Sequence, residues 1–284
     1  MAIFSNQATL TYAGGSTSSN IVTGEILDLL SVTKTAVGDT YRAGDTVSYV
    51  ISLVNGGTTA LSGLTLTDDL GAYPFGTGTV TPLTYVDGSL LYYNNGVLQA
   101  TPTVNAAPPL TVSGITVPAG GNATVVYSAL VNAFAPIGET GSVTNTVTAT
   151  GAGLTEAVTA EETVTAVNEA VLSITKALSP TTVPENGVIT YTFEIFNSGS
   201  ADAVATDNLS VSDTFDPILS DLTVTLDGVA LVEGTDYTYD ETTGAFATVP
   251  SRITVPAATV TQDPVTGAFT TVPGSATLTV TGTV

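Results

Sequence analysis

The chain has 284 residues, 43% of them hydrophobic, with 25 acids against 4 bases and a net charge of −21. It contains no cysteine and no histidine, which excludes disulfides, Cys or His nucleophiles, and every zinc, haem or iron–sulfur site built on those side chains. The charge excludes nucleic acid as a partner, since phosphate binding needs clustered Lys and Arg, and no apolar run approaches the ~20 residues that would insert in a membrane.

The N-terminus shows no signal-peptide pattern. From Phe4 the chain alternates, with Phe4, Asn6, Ala8, Leu10 and Tyr12 on one side and Ser5, Gln7, Thr9 and Thr11 on the other, the period of a β-strand. Ala13-Gly14-Gly15 then turns it into a second strand. The next strands begin a unit that occurs twice. "LSVTK" ends at Lys34 and "LSITK" at Lys176. "AGDTVSYVISLVNGG" from Ala43 matches "ENGVITYTFEIFNSG" from Glu185, pairing Tyr49 with Tyr191 and Asn55 with Asn197. "LTLTDDL" from Leu64 matches "LSVSDTF" from Leu209, pairing Asp68 with Asp213. "ITVP" recurs at Ile115 and Ile253, and "ATVVYSALV" from Ala123 matches "ATLTVTGTV" from Ala276.

Between these segments stand turn signals: Asp87-Gly88, Asn94-Asn95-Gly96, Asp227-Gly228 and Thr243-Gly244. The pattern predicts an all-β chain of two tandem Greek-key, Ig-like β-sandwiches. The expected division is an N-terminal donor segment at 1–28, a first repeat at 29–167 and a second at 168–284.

The copies differ at one end. After Val131 the first continues through "VTNTVTATGAG" from Val143 and a further strand. The second reads only to the counterpart of Val131, while residues 4–27 repeat the absent piece: Phe4 matches Val143, Asn6 matches Asn145, Ala8 matches Val147, Leu10 matches Ala149 and Gly14 matches Gly153. A two-repeat array cut out of phase in this way predicts that the N-terminal strand of one chain completes the second domain of the next. That operation is head-to-tail and does not close, so it makes a filament. The other reading is a hairpin that merely decorates the first domain.

The chain has two lysines, at equivalent places. Alternation puts Lys34 in phase with Leu30 and Val32, and Lys176 in phase with Leu172 and Ile174, so both are expected to point inward. A buried ammonium needs a partner. Asp68 and Asp213 are in phase with apolar neighbours on their own strands, as are Asn145 and Asn6. A Lys–Asp ion pair with Asn as a hydrogen-bond partner satisfies this placement, and so does a covalent link.

The motifs "LSVTKT", "GDTVSYVISLVN", "LTLTDDL" and "VTNTVTAT" resemble the surface-protein β-sandwich repeats of the domain of unknown function eleven family. The resemblance covers the first unit and the second up to the absent hairpin. It implies a fibrous or adhesive role at the cell surface. The Lys, Asp and Asn trio also resembles that of adhesin and pilin modules that form intramolecular isopeptide bonds. On that analogy Lys34 joins Asn145 with Asp68 as catalyst, and Lys176 joins Asn6 of the next chain with Asp213 assisting. Burial of such a site favours a neutral amine and a neutral acid, and holding amine and carboxamide together removes the need for an external enzyme.

The resulting expectation is an extracellular structural subunit, at a cell or spore surface, whose partner is itself. It needs no cofactor or metal and acts on no external substrate. The rival is a monomeric surface adhesin with its ligand site in the loops at 71–82, 99–112 and 257–275. An unknown surface ligand or anchor protein remains compatible with either.

Overall fold

The computed structural model describes residues 2–26, 29–151 and 153–284. Nearly all regular structure in them is β-strand, with one 3-10 turn at Ala205–Asp207. The chain separates into two compact units. The first takes in the residues up to Asp39 with Gly44–Asn132 and Val143–Val164; the second takes in Thr40–Ala43, Ala133–Ser142 and Thr165–Val284.

The N-terminal segment is a self-paired ribbon. Ala2–Asn6 pairs with Val22–Ile26, placing Phe4 opposite Gly24 and Asn6 opposite Val22. Thr9–Tyr12 pairs with Gly15–Ser18, placing Leu10 opposite Thr17. The register slips by one residue between the two pairings, a bulge on the return strand. Ser19 holds it, its hydroxyl accepting from the Ala8 amide at 2.9 Å while its carbonyl accepts from the Gln7 carboxamide at 2.8 Å. The outgoing strand therefore keeps Phe4, Asn6, Ala8, Leu10 and Tyr12 on one face. Gly24 lets the Phe4 ring lie across the ribbon, since a Cβ there would sit 2.5 Å from it. The apolar side chains of this face are open to solvent: Phe4 is 53% exposed, Leu10 65% and Tyr12 60%.

The first unit is a sandwich of two sheets. One runs in the order Val97–Leu98, Leu91–Asn94, Asn122–Val131, Thr46–Asn55 and Leu30–Val37, with Leu83–Tyr85 also on Asn122–Val131. The other runs Thr103–Asn105, Leu110–Val117, Leu61–Asp68, Ser142–Thr150 and Val158–Ala166. Strict alternation decides what is inside. Leu30, Val32, Tyr49, Ile51 and Leu53 face inward from the first sheet, and Leu64, Leu66, Val143, Val147 and Ala149 from the second. Each large aliphatic side chain buried this way contributes ~1.5–3 kcal/mol. The register places Val147 opposite Asp68 and Ala149 opposite Leu66.

The second unit repeats the first sheet: Leu172–Ser179, Val188–Asn197, Gly274–Thr283, Ser220–Leu226 and Val229–Ala230. Its core gathers Phe193, Ile195, Phe215, Phe246, Ile253 and Leu278. The facing sheet is shorter. Ser212–Thr214, the counterpart of the end of the Asp68 strand, pairs with Ala245–Thr248, which pairs with Tyr237–Asp240. Among the described residues nothing occupies the other edge of Ser212–Thr214, where the first unit holds Ser142–Thr150. The stretch read as an insertion at 257–275 forms a hairpin of Thr259–Gln262 with Phe269–Val272.

Candidate functional site

In the first unit Lys34, Asp68 and Asn145 converge in the core, as their phase predicts. They are 3%, 2% and 0% exposed. The Lys34 ammonium donates to Asp68 Oδ2 at 2.6 Å, and the Tyr127 hydroxyl donates to the same oxygen at 2.7 Å. The Leu70 amide donates to Asp68 Oδ1 at 3.1 Å. Asn145 Nδ2 donates to the Tyr127 hydroxyl at 2.9 Å, while Asn145 Oδ1 is buried with no hydrogen-bond partner among the described residues. A single hydrogen-bonded chain thus runs Lys34, Asp68, Tyr127, Asn145. Lys34 and Asn145 stand at its two ends.

The environment explains the electrostatics. The Tyr49 ring lies 4.9 Å from the Lys34 ammonium and stacks on Tyr127 with 5.6 Å between centroids. A cation over aromatic faces gains some stabilisation. Burial nevertheless pushes the Lys34 pKa down, with Asp68 opposing it, and burial beside Asp68 pushes Tyr127 well above the usual phenol value. The neutral amine is thereby more accessible than in solvent, which favours nucleophilic chemistry. Asp69 is spent on backbone: its Oδ1 accepts from the Gly71 and Thr146 amides at 2.8 and 2.9 Å.

Tyr127 was not among the candidates read from the sequence, because an inward tyrosine between Val125 and Ala129 reads as packing. Comparing the two copies could have found it, since its counterpart is Val280.

In the second unit Lys176 meets Asp213, whose other oxygen accepts from the Thr214 amide at 2.9 Å. The Tyr191 ring lies 4.4 Å from the ammonium. The expectation that Lys176 points into a core is corrected here: its side chain is 41% exposed against 0% for Lys34. The alternation is the same, but among the described residues no strand covers this face. The whole strand tells the same story, with Leu172 at 41% and Ile174 at 53% where Leu30 and Val32 are at 4% and 8%. No asparagine among the described residues of this unit takes the place of Asn145. Farther along the segments that carry Lys176 and Asp213 lies a groove of about 190 Å³ lined by Leu172, Ile174, Ile195, Leu209, Val211 and Ile253.

Asn6 and the apolar Phe4, Ala8, Leu10 and Tyr12 lie on the exposed face of the ribbon. The counterparts of the first four, Asn145, Val143, Val147 and Ala149, are buried in the first unit, and that of Tyr12, Gly151, is exposed.

No protein-family model matches the chain, and no curated protein matches its sequence, so the family resemblance rests on the motifs quoted above. Among solved structures the chain has several distant matches. The major pilin subunit BcpA of Bacillus cereus is 12% identical, with 96% of this chain and 73% of that one covered at a TM-score of 0.36. The pilus backbone RrgB of Streptococcus pneumoniae is 13% identical, with 86% and 55% covered at 0.34. A family 123 glycoside hydrolase from Clostridium perfringens is 11% identical, with 49% and 28% covered at 0.32. The chain thus spans about half of the pilus backbone and about a quarter of the glycoside hydrolase, by coverages of 55% and 28%.

Proposed function

We propose that this chain is the structural subunit of an extracellular filament, each copy inserting its N-terminal strand into the open groove of the second unit of the next. The observation that supports this reading is a double contrast in burial. Leu30, Val32, Val143, Val147 and Ala149 are enclosed together in the first unit, while their counterparts Leu172, Ile174, Phe4, Ala8 and Leu10 are exposed. One half of a core lies on the groove and the other on the ribbon. Joining them buries apolar surface at ~25 cal/mol per Å² and adds backbone ladder bonds at a free strand edge, which is strand addition.

Unit one supplies the register. Val147 opposite Asp68 and Ala149 opposite Leu66 translate to Ala8 opposite Asp213 and Leu10 opposite Val211. Asn6 then brings a carboxamide to Lys176 and Asp213. In both units the finer reading is covalent: the lysine Nζ bonds to the carboxamide carbon, the C–N bond to the old amide nitrogen breaks, and that nitrogen leaves as ammonia. The links are Lys34 to Asn145 within a chain and Lys176 to Asn6 between chains.

Deleting residues 2–20 tests strand donation. The variant should keep a folded first unit and form no filaments by negative-stain imaging. Ordered fibres from it would refute the proposal. The deleted stretch contains no Lys, Arg, Asp or Glu, so a loss of filaments cannot be traced to altered charge.

A further inference from the structure

The ribbon strand and Ser142–Thr150 carry the same pattern, so a ribbon has two possible destinations in a neighbouring copy. It can enter the open groove of the second unit, or it can displace Ser142–Thr150 from the first. The second route would produce domain-swapped species, a low-cost outcome when identical elements exchange. We propose that Leu10 and Tyr12 are the specificity residues that bar the ribbon from the first unit and direct it to the second. This rests on the strand-donation reading above.

The argument lies in what stands at the matching positions. Leu10 matches Ala149 and Tyr12 matches Gly151. Ala149 is 0% exposed, opposite Leu66. Gly151 has φ +146°, a conformation that L side chains rarely adopt. A Cβ at Gly151 would lie 3.0 Å from Leu64 Cα and from Leu64 Cδ2, and 3.1 Å from the Gly63 carbonyl oxygen. Two of those three atoms are backbone and cannot turn aside. A tyrosine there meets both a strained φ and a wall. A leucine in place of Ala149 must find room for three more carbons in a filled core, and overpacking of that kind costs ~1–3 kcal/mol.

The second unit offers the opposite at the same positions. Val211 replaces Leu66 and is one carbon smaller. Beside it the groove of about 190 Å³ stands open between Leu172 and Ile174 on one side and Leu209 and Val211 on the other. Leu10 in the transferred register points at that space, and Tyr12 falls beside Leu209. The two large residues that the first unit refuses are the ones with room here. Growth through the second unit alone is head-to-tail, so after every addition an open groove remains at one end and a free ribbon at the other.

The test uses the full-length chain with a photo-crosslinking amino acid at position 10, irradiated during assembly and mapped by mass spectrometry of the covalent dimers. The expected links run to residues 172–174 and 209–211 of the neighbour. Links to residues 64–66 would overturn the selectivity while leaving strand donation intact. An absence of intermolecular links would overturn both. A second variant, Leu10→Ala with Tyr12→Gly, gives the ribbon the residues of the first unit's own strand. It should lose filament yield at least tenfold and accumulate compact dimers by light scattering. Unchanged filament yield without compact dimers would refute the role of these two side chains. Both residues are solvent-exposed on the ribbon, so neither change threatens the folding of the two units.

Discussion

The proposed joint between copies can be probed at Ile174, which is 53% exposed where its counterpart Val32 is 8% exposed. Docking should therefore bury nearly half of the side chain, worth about 1 kcal/mol on the scale of ~1.5–3 kcal/mol for a whole aliphatic residue. Ile174→Gln removes that gain. It also places a carboxamide in an apolar groove, where an unsatisfied polar group costs a further ~1–3 kcal/mol. Together these weaken the joint by about 3 kcal/mol, or ~100-fold in its association constant. The length of a reversible head-to-tail polymer follows the square root of that constant, so filaments should shorten by about tenfold. The experiment belongs in an Asn6→Ala background, which keeps every joint reversible, and reads filament length by negative stain and sedimentation. Melting of the monomer should hardly change, because the side chain is already half in water. Val32→Gln, by contrast, should destabilise the first unit itself. Unaltered filament length in Ile174→Gln, or a large loss of monomer stability, would refute the assignment of this groove to the joint.

Wild-type filaments boiled in detergent should run as a ladder of covalent multimers, and Asn6→Ala filaments should assemble yet fall to monomers; monomer bands from boiled wild type would remove the covalent claim alone. In an Asn145→Ala chain, which cannot form the internal bond, burial lowers the folded pKa of Lys34, so the unfolded state binds more protons between that value and the ordinary ~10.4, and stability rises with pH across the window. The raised pKa of Tyr127 acts in the opposite direction above about 10, where only the unfolded phenol ionises. Denaturant titrations should therefore show stability rising toward about pH 10 and falling beyond it, and adding Lys34→Met should remove the rising limb; a rising limb that persists would refute its assignment to Lys34.

Much of this molecule was legible because a strand has a period of two. The phase of Leu30, Val32 and Lys34 fixed which face Lys34 takes, and the phase of Leu64, Leu66 and Asp68 did the same for its partner. The repeat then tied Lys176 to Asp213 without further reasoning. Alternation names a face but not what covers it, so it reads Lys176 as inward although no strand among the described residues lies over it. Tyr127 escaped for a related reason. Its hydroxyl matters only through Asp68 and Asn145, which stand 59 and 18 residues away, and no local pattern distinguishes that tyrosine from a packing one. The bulge at Ser19 was also invisible. It arises from side-chain bonds across the ribbon, yet it leaves the outgoing strand's single face intact.

An exposed apolar strand is an aggregation hazard, and this chain carries one as well as an open groove. Its own features limit the risk. The ribbon pairs with itself, so each of its strands offers only one free edge. The net charge of −21 makes two copies repel at long range, which suppresses contacts that do not bury much surface. No acid lies within residues 2–20, so the inserting strand takes no charge into the groove. Repulsion between whole chains and neutrality of the inserting strand act together: collisions in general are discouraged, while the one contact that closes a half-built core remains favourable at short range. The same division explains why the first unit is complete. Its strands enclose Lys34 with Asp68 and Tyr127, leaving no edge beside the Asp68 strand for a second copy to use. Among the described residues only the second unit keeps that edge open, and the groove beside it is lined by Leu172, Ile174, Leu209 and Val211.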